Sequence, residues 1–475
     1  MRRRQFVRVV GVGAAVAAAG CGDDSAANKT APPNEGSRAA WVYGHDYAFP
    51  LGLAAPGRDP RRRGIDSGRR NIGRTVETVT TDRSVVHLAG QLYERQNPDA
   101  DLDHAVTAVA AADGANRWRT EFDGDRFDSS VEGVVDAGGG AVVGFDQAES
   151  VGGGGFGGDT PGRTPEVARF DADGDLAYTM AASALEPEPN ASFAAAAATV
   201  FVSNGRLDED PVVAGYDVAT GERRFLDRPA TVAATTETTA FLVRPGESDT
   251  LVVRRGSDGA VRWEQSVGRV HDLAVGPDRV YVVSVSGGGT QLHAFDRAVG
   301  ANRWSVQPDV DPNVGPVVLD DAVLVVGRTV SVYGRDGAEL GPVSEDARSP
   351  TAYDRVRTNN HHVFLTTRPD RTQRRTVAID RQTWAVSWTT ETFVPIIGAA
   401  DESFYVVSGT RQTQGREENG TDTRIRRVAG ADRDTIDEFW VHGGPRSVDG
   451  DRLYTLLQTT DTALGGLYAY DLPDG

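Results

Sequence analysis

The sequence predicts an all-β chain folded as a single β-propeller of four-stranded blades. Three observations predict it. A glycine turn followed four residues later by an aromatic recurs along the chain. Short strands with alternating apolar residues flank each turn. The chain holds 55 glycines, only 2 methionines and 39% apolar residues, which suits many short strands and tight turns better than packed helices.

The turns come in order. Gly114 precedes Trp118, Gly174 precedes Tyr178, and Gly221 precedes Phe225. Gly259 precedes Trp263, Gly300 precedes Trp304, and Trp388 stands in the same phase after Trp384. Weaker copies lie at Asp336-Gly337 and across residues 424–440. Alternating strands that end in Asp lead into them, as at 167–171, 213–217 and 292–296, and a further strand lies upstream, as at 279–284 and 322–327. Successive turns are mostly about 40–50 residues apart, the size of one propeller blade. The longest step, from Gly114 to Gly174, contains the Gly-rich stretch 151–159. The chemistry of this motif is structural. The Asp accepts backbone N–H bonds, the Gly takes a positive φ, and the aromatic packs between neighbouring blades.

The ends of the chain predict closure. Residues 467–475 align with 292–300 without a gap, and the outer strand that should follow is missing. The segment from Arg38 to Tyr43 supplies it, with Trp41 in the aromatic slot, so that both edges are paired.

The pattern aliphatic-x-Ala-x-Asp-x-x-x-Gly-x-x-x-Trp, seen from Leu292 to Trp304, resembles the repeat of pyrroloquinoline-quinone-dehydrogenase-like propellers. The stretch Trp41-Val42-Tyr43-Gly44-His45-Asp46 is similar to the opening of that class. The class includes propeller lipoproteins that assist outer-membrane protein assembly. The resemblance spans roughly residues 40–475 and implies a fold more than a function. Its members usually have eight blades, while the turns here number nine. Eight is therefore the expected count, with nine as the alternative. The family's enzymes hold a quinone on the propeller axis beside a calcium, a catalytic Asp and a disulfide of adjacent cysteines. The chain has one cysteine, so that disulfide cannot form. No other residue matches the enzyme motifs, so no catalytic, cofactor-binding or metal residue is carried over. No cofactor is expected; the quinone or calcium is the alternative.

The first residues read as an address and an anchor. Arg3, Arg4 and Phe6 resemble a twin-arginine export signal, and an apolar run from Val9 to Ala19 follows. That run is about half the roughly 20 residues needed to cross a bilayer, so it reads as a signal core. It ends Ala18-Ala19-Gly20-Cys21, similar to a lipobox with Ala in place of the usual Leu. Cys21 would carry the lipid. Residues 1–21 are thus expected to be a signal peptide, 22–37 a disordered tether and 38–475 the propeller. Asn28, Asn190 and Asn419 begin glycosylation sequons, as export permits.

Charge narrows the setting. The net charge is −18, and the single lysine is Lys29 against a total of 50 basic residues. Abundant carboxylates with almost no lysine point to work in concentrated salt, where repulsion is screened within roughly 3 Å at 1 M. A GC-rich genome also favours Arg over Lys, and haloarchaea combine the two. The acidic surface argues against nucleic acid as a partner.

Other residues read as ordinary structure. Asp171-Ala172-Asp173-Gly174-Asp175 looks like part of a calcium loop but coincides with the repeat turn, and Ala182 stands where a calcium loop needs its glutamate. The Asp208-Glu209-Asp210 and Asp309-Val310-Asp311 groups read as solvated loop charges. His361 and His362 would point to opposite faces of a strand. The favoured function is an exported, monomeric, non-catalytic scaffold on the outer face of the cell membrane, binding a ligand or other surface or membrane proteins. Loops 91–104, 147–165, 183–197 and 409–423 would carry recognition. The alternatives are a quinone- or metal-dependent oxidoreductase and a surface glycan hydrolase or lyase, which would need paired carboxylates at a fixed separation.

Overall fold

The computed structural model describes Trp41–Tyr43 and most of residues 72–471. Within the latter, the connections 82–84, 95–102, 112–115, 123–129, 138–139, 147–165, 182–191, 205–210, 343–346, 368–374, 391–395, 415–418 and 458–465 and a few single residues lie outside the described residues. Arg3, Arg4, Phe6, Cys21, Asn28, Gly114 and Asn190 lie outside them too, as do the proposed signal and tether.

The described residues form nine four-stranded sheets. Eight are up-and-down meanders of consecutive strands, at 72–122, 130–181, 192–227, 231–266, 269–306, 314–342, 353–390, 396–442 and, with one exchanged strand, 444–471 as the ninth. The architecture is the expected β-propeller. The sheet count equals the number of turns in the sequence, the alternative to the eight expected from the family resemblance. The first strand of each sheet lies against the first strand of the next, from the first sheet to the ninth.

Packing explains the composition. The second strand at 322–326 is buried throughout, and so is most of 239–244. Both faces of these strands are covered by neighbouring sheets, so they read as continuous apolar runs. One cluster joins Phe241, Val253 and Trp263 of the fourth sheet to Val280, Val282 and Phe295 of the fifth. Another joins Tyr281 and Leu292 of the fifth to Val323 and Tyr333 of the sixth. A single sheet could not bury these faces alone.

The recurrent turn follows its expected chemistry. Asp217 Oδ1 accepts the N–H groups of Ala219 at 2.7 Å and Thr220 at 2.9 Å. Gly221 has φ 72° and donates its N–H to the Asp217 carbonyl at 2.9 Å. Asp296 with Gly300 repeats this geometry, and so does Asp380 with Trp384 in the glycine position. The Asp171–Asp175 segment is the turn it was read as: Asp171 Oδ1 accepts from the N–H groups of Asp173 and Asp175, both at 2.9 Å.

Each aromatic docks on the turn of the next sheet. A Cβ added to Gly174 would meet the Trp118 ring at 2.6 Å, and one added to Gly300 would meet the Trp263 ring at the same distance. Tyr178 covers Gly221, Phe225 covers Gly259, and Trp304 covers Gly337. The indoles are pinned by hydrogen bonds. Trp263 Nε1 donates to the Arg297 carbonyl at 3.0 Å, Trp304 Nε1 to Arg335 at 2.7 Å, and Trp388 Nε1 to Gly430 at 2.7 Å. The Tyr178 hydroxyl donates to the Asp217 carbonyl at 3.3 Å, and burial pushes its pKa up to about 12, so it stays protonated.

The ninth sheet takes its outer strand from the front of the chain, as expected. Trp41–Tyr43 pairs antiparallel with 467–469, and Trp41 stands opposite Ala469. In the fifth sheet Trp304 stands opposite Ala294, two residues before Asp296. Ala469 is likewise two residues before Asp471, so Trp41 holds the aromatic register of the repeat.

Candidate functional site

The two ends of the sheets differ. In each meander the first-to-second and third-to-fourth turns share one end, and the second-to-third turns and the links between sheets share the other. At the first end the first-to-second turns are two or three residues long, such as 237–238 and 276–278. At the second end the connections run from a single residue, 443, to nineteen at 147–165. Three of the four loops singled out from sequence belong to that second end, and the fourth begins there. The stretches 91–104, 147–165 and 409–423 are second-to-third connections, while 183–197 covers a link between sheets, the strand 192–196 and the start of its first turn. Their central residues lie outside the described residues. The strands bounding the last of these, 403–414 and 419–429, are about twice as long as 362–367 in the sheet before. The hairpin therefore extends past its neighbour by roughly 20 Å at 3.3 Å per residue. Asn419 begins its returning strand, paired with Gln414.

The tight-turn end is stapled. Arg297, Arg335 and Arg381 follow the third strands of the fifth, sixth and seventh sheets. Each reaches back to the first turn of the sheet before. Arg297 Nη2 donates to Thr236 Oγ1 at 3.0 Å, Arg335 pairs with Asp278, and Arg381 Nη2 donates to Asp321 at 2.9 Å. These side chains are committed to joining neighbours.

A denser network joins the third and fourth sheets. Asp227 is 5% exposed and takes two bonds from Arg254, at 2.8 and 2.9 Å, and one from Arg244 at 2.8 Å. The Arg254 guanidinium also lies 4.0 Å from the Phe225 ring centroid. Burial pushes the Asp227 carboxyl up, but the bonds and charges of Arg254 and Arg244 outweigh it and hold it below the usual carboxylate range.

Toward the axis, the first strands share a distinctive irregularity. Every one except 192–196 shifts register against its partner, with the extra residue a few positions before the first turn. Such bulges re-aim side chains and are frequent beside functional sites. His271 occupies one of these positions. Burial pushes His271 below the usual imidazole range against the pull of Asp272 and Asp311. The Asp272 carboxylate lies over Gly315 of the next sheet, where an added Cβ would stand 2.2 Å from Oδ2.

Among the described residues no three His, Cys, Asp or Glu side chains come together to hold a metal. Asp309 and Asp311 are exposed, as expected of loop charges. His362 is buried against Phe364, while the His361 ring points toward Glu402 at 3.9 Å, so the pair does not converge. Sequence reasoning missed the arginine staples and the Asp227 network, whose partners become neighbours only across sheets. It also missed a line of side chains in the fifth sheet, from Ser284 through His293 to Ser305 and Asn302.

Residues 227–341, from the end of the third sheet through the sixth, match the family model described as outer membrane protein assembly factor BamB. The repeat resemblance drawn from Leu292–Trp304 holds there. No curated protein matches the chain. Solved structures with a similar fold include BamB from Moraxella catarrhalis, at 12% identity and a TM-score of 0.40, covering 71% of this chain and 95% of that one. Sqt1 from Saccharomyces cerevisiae matches at 11% identity and a TM-score of 0.42, covering 86% and 98%. A europium-containing methanol dehydrogenase matches at 12% identity and a TM-score of 0.40, covering 84% and 91%. Likeness at this level bears on neither activity nor partner.

Proposed function

We propose that the protein is an exported binding scaffold, anchored through a lipid on Cys21, that receives a surface or membrane protein on the end bearing the long connections. The asymmetry of the two ends carries this reading. One end consists of turns of two to five residues, three of whose arginines are used to join sheets. The other carries every long connection and the projecting 403–429 hairpin. Variable loops on a rigid frame are where binding residues concentrate. The family match at 227–341 supports it, since its description names an assembly factor for outer-membrane proteins. Direction supports it too. Trp41 begins an outer strand at the tight-turn end. A tether ahead of it leaves from that end and turns the long connections away from the membrane.

The test is cross-linking in the native host membrane. Replacing 411–422 with a two-residue turn should remove the cross-linked partners and leave the melting temperature within a few degrees of the parent. The same partners retained by that variant would overturn the reading.

A further inference from the structure

One group of side chains is left unused by the scaffold. It crosses the outer half of the fifth sheet. Ser284 Oγ lies 3.0 Å from His293 Nε2, His293 Nδ1 lies 2.9 Å from Ser305 Oγ, and Asn302 Nδ2 donates to Ser305 Oγ at 2.9 Å. The register brings them together. His293 and Ser305 are opposite one another on the third and fourth strands. The burial is graded: Ser284 is 1% exposed, His293 is half-buried, and Ser305 is exposed. The His293 ring is held by Phe295, stacked at 5.8 Å and 25°. Gly268, in the link from the fourth sheet, covers Ser284, with room for a Cβ only 3.2 Å from Oγ.

We propose that Ser305 is a reactive serine with His293 as its general base and Ser284 as the group that positions the imidazole, acting on activated esters of small acids. A nucleophile, a base and an orienting group in hydrogen-bond sequence are what such chemistry requires. In the Nε2-protonated tautomer each group donates to the next. Asn302 donates to Ser305, Ser305 donates to Nδ1, and Nε2 donates to the buried Ser284. Burial alone pushes His293 below the usual imidazole range, with no charged group contributing, so the ring is neutral near pH 7 and Nδ1 is free to take a proton. Ser305 Oγ attacks the ester carbonyl carbon and its proton passes to His293 Nδ1. The carbon–oxygen bond to the alcohol then breaks, and the alcohol leaves with that proton. Water attacks the acyl-serine by the reverse proton path and releases the acid. Asn302 Nδ2 is the amide donor beside the carbonyl oxygen as charge develops on it. This activity is independent of the scaffold reading and stands without it.

The full-length protein is treated with a fluorophosphonate. The Oγ–P bond forms, fluoride leaves, and the hydroxyl proton passes through His293 to solvent. The adduct is located by intact mass and peptide mapping. A single adduct on Ser305 is expected, absent in Ser305→Ala and formed at least tenfold more slowly in His293→Gln. The labelling rate should rise with pH through one inflection below the usual imidazole range. Ser284→Ala should lower that inflection, because losing the acceptor for Nε2–H disfavours the protonated ring. No adduct on Ser305 in the parent, or a rate indifferent to both pH and His293→Gln, would overturn the proposal. Should His293→Gln fail to fold, the parent's pH profile and Ser284→Ala decide it.

Discussion

Two junctions between sheets solve one packing problem in opposite ways. Where the fourth sheet meets the fifth, the outer strand supplies Trp263 and the next turn supplies Gly300 at φ 74°. Where the sixth meets the seventh, the aromatic slot is Gly341, and the turn residue is Trp384 at φ 57°. Trp384 is 7% exposed and packs among Leu324, Val332, Leu365 and Val377. The junction needs one large ring, and either partner can supply it. A left-handed backbone at a bulky residue costs on the order of 1–3 kcal/mol. The apolar surface that an indole buries is large enough to offset it. The seventh-to-eighth junction is a third variant. Trp388 keeps the slot, the glycine position holds Arg433 at φ 68°, and its guanidinium lies 5.3 Å from the indole centroid.

Substitutions can break this comparison, and they are ordered here from the largest effect down. Trp263→Ala empties a slot that nothing else fills and should destabilise by about 3–5 kcal/mol in chemical denaturation. Trp384→Gly should cost less, roughly 2–4 kcal/mol, because relief of the positive φ returns about 1 kcal/mol against the lost ring. Equal losses for the two would mean that backbone strain at Trp384 is negligible. Gly300→Ala drives a Cβ into the Trp263 ring and should cost about 1–3 kcal/mol. Arg433→Gly exchanges a cation–π contact of about 0.5–1 kcal/mol for backbone relief of similar size, so its midpoint should barely move.

A pH series sharpens the contrast between rings and charges. The folded Asp227 carboxyl titrates below its unfolded value. Its contribution is complete above the unfolded carboxylate range and is lost as pH falls through the folded value. Stability should therefore be flat near neutrality and decline on acidification, and Asp227→Asn should flatten that decline. An acid slope unchanged in Asp227→Asn would assign it to other carboxylates.

The inverted junction also shows where sequence reading succeeds and stops. The docks of Trp118, Tyr178, Phe225, Trp263 and Trp304 were legible because turn and ring recur at one spacing. The stretch matching the family model ends at Gly341, where that spacing loses its ring. Trp384 was visible as a residue in phase with the repeat. That it adopts a glycine's conformation was not, because only the space left open across the junction favours it. The unequal ends of the sheets were legible from loop lengths alone. The Ser284–His293–Ser305 line was not, since strand register, not spacing along the chain, makes those residues neighbours.

The exchanged outer strand has a mechanical consequence. Among the described residues, three, Trp41–Tyr43, join the front of the chain to its final sheet. Tension on the chain ahead of Trp41 runs along that strand and loads its bonds to 467–469 together, in shear, not one at a time. The strand acts as a latch: it resists a steady pull as a unit, and past its limit it releases the ninth sheet's outer edge before any other sheet is disturbed.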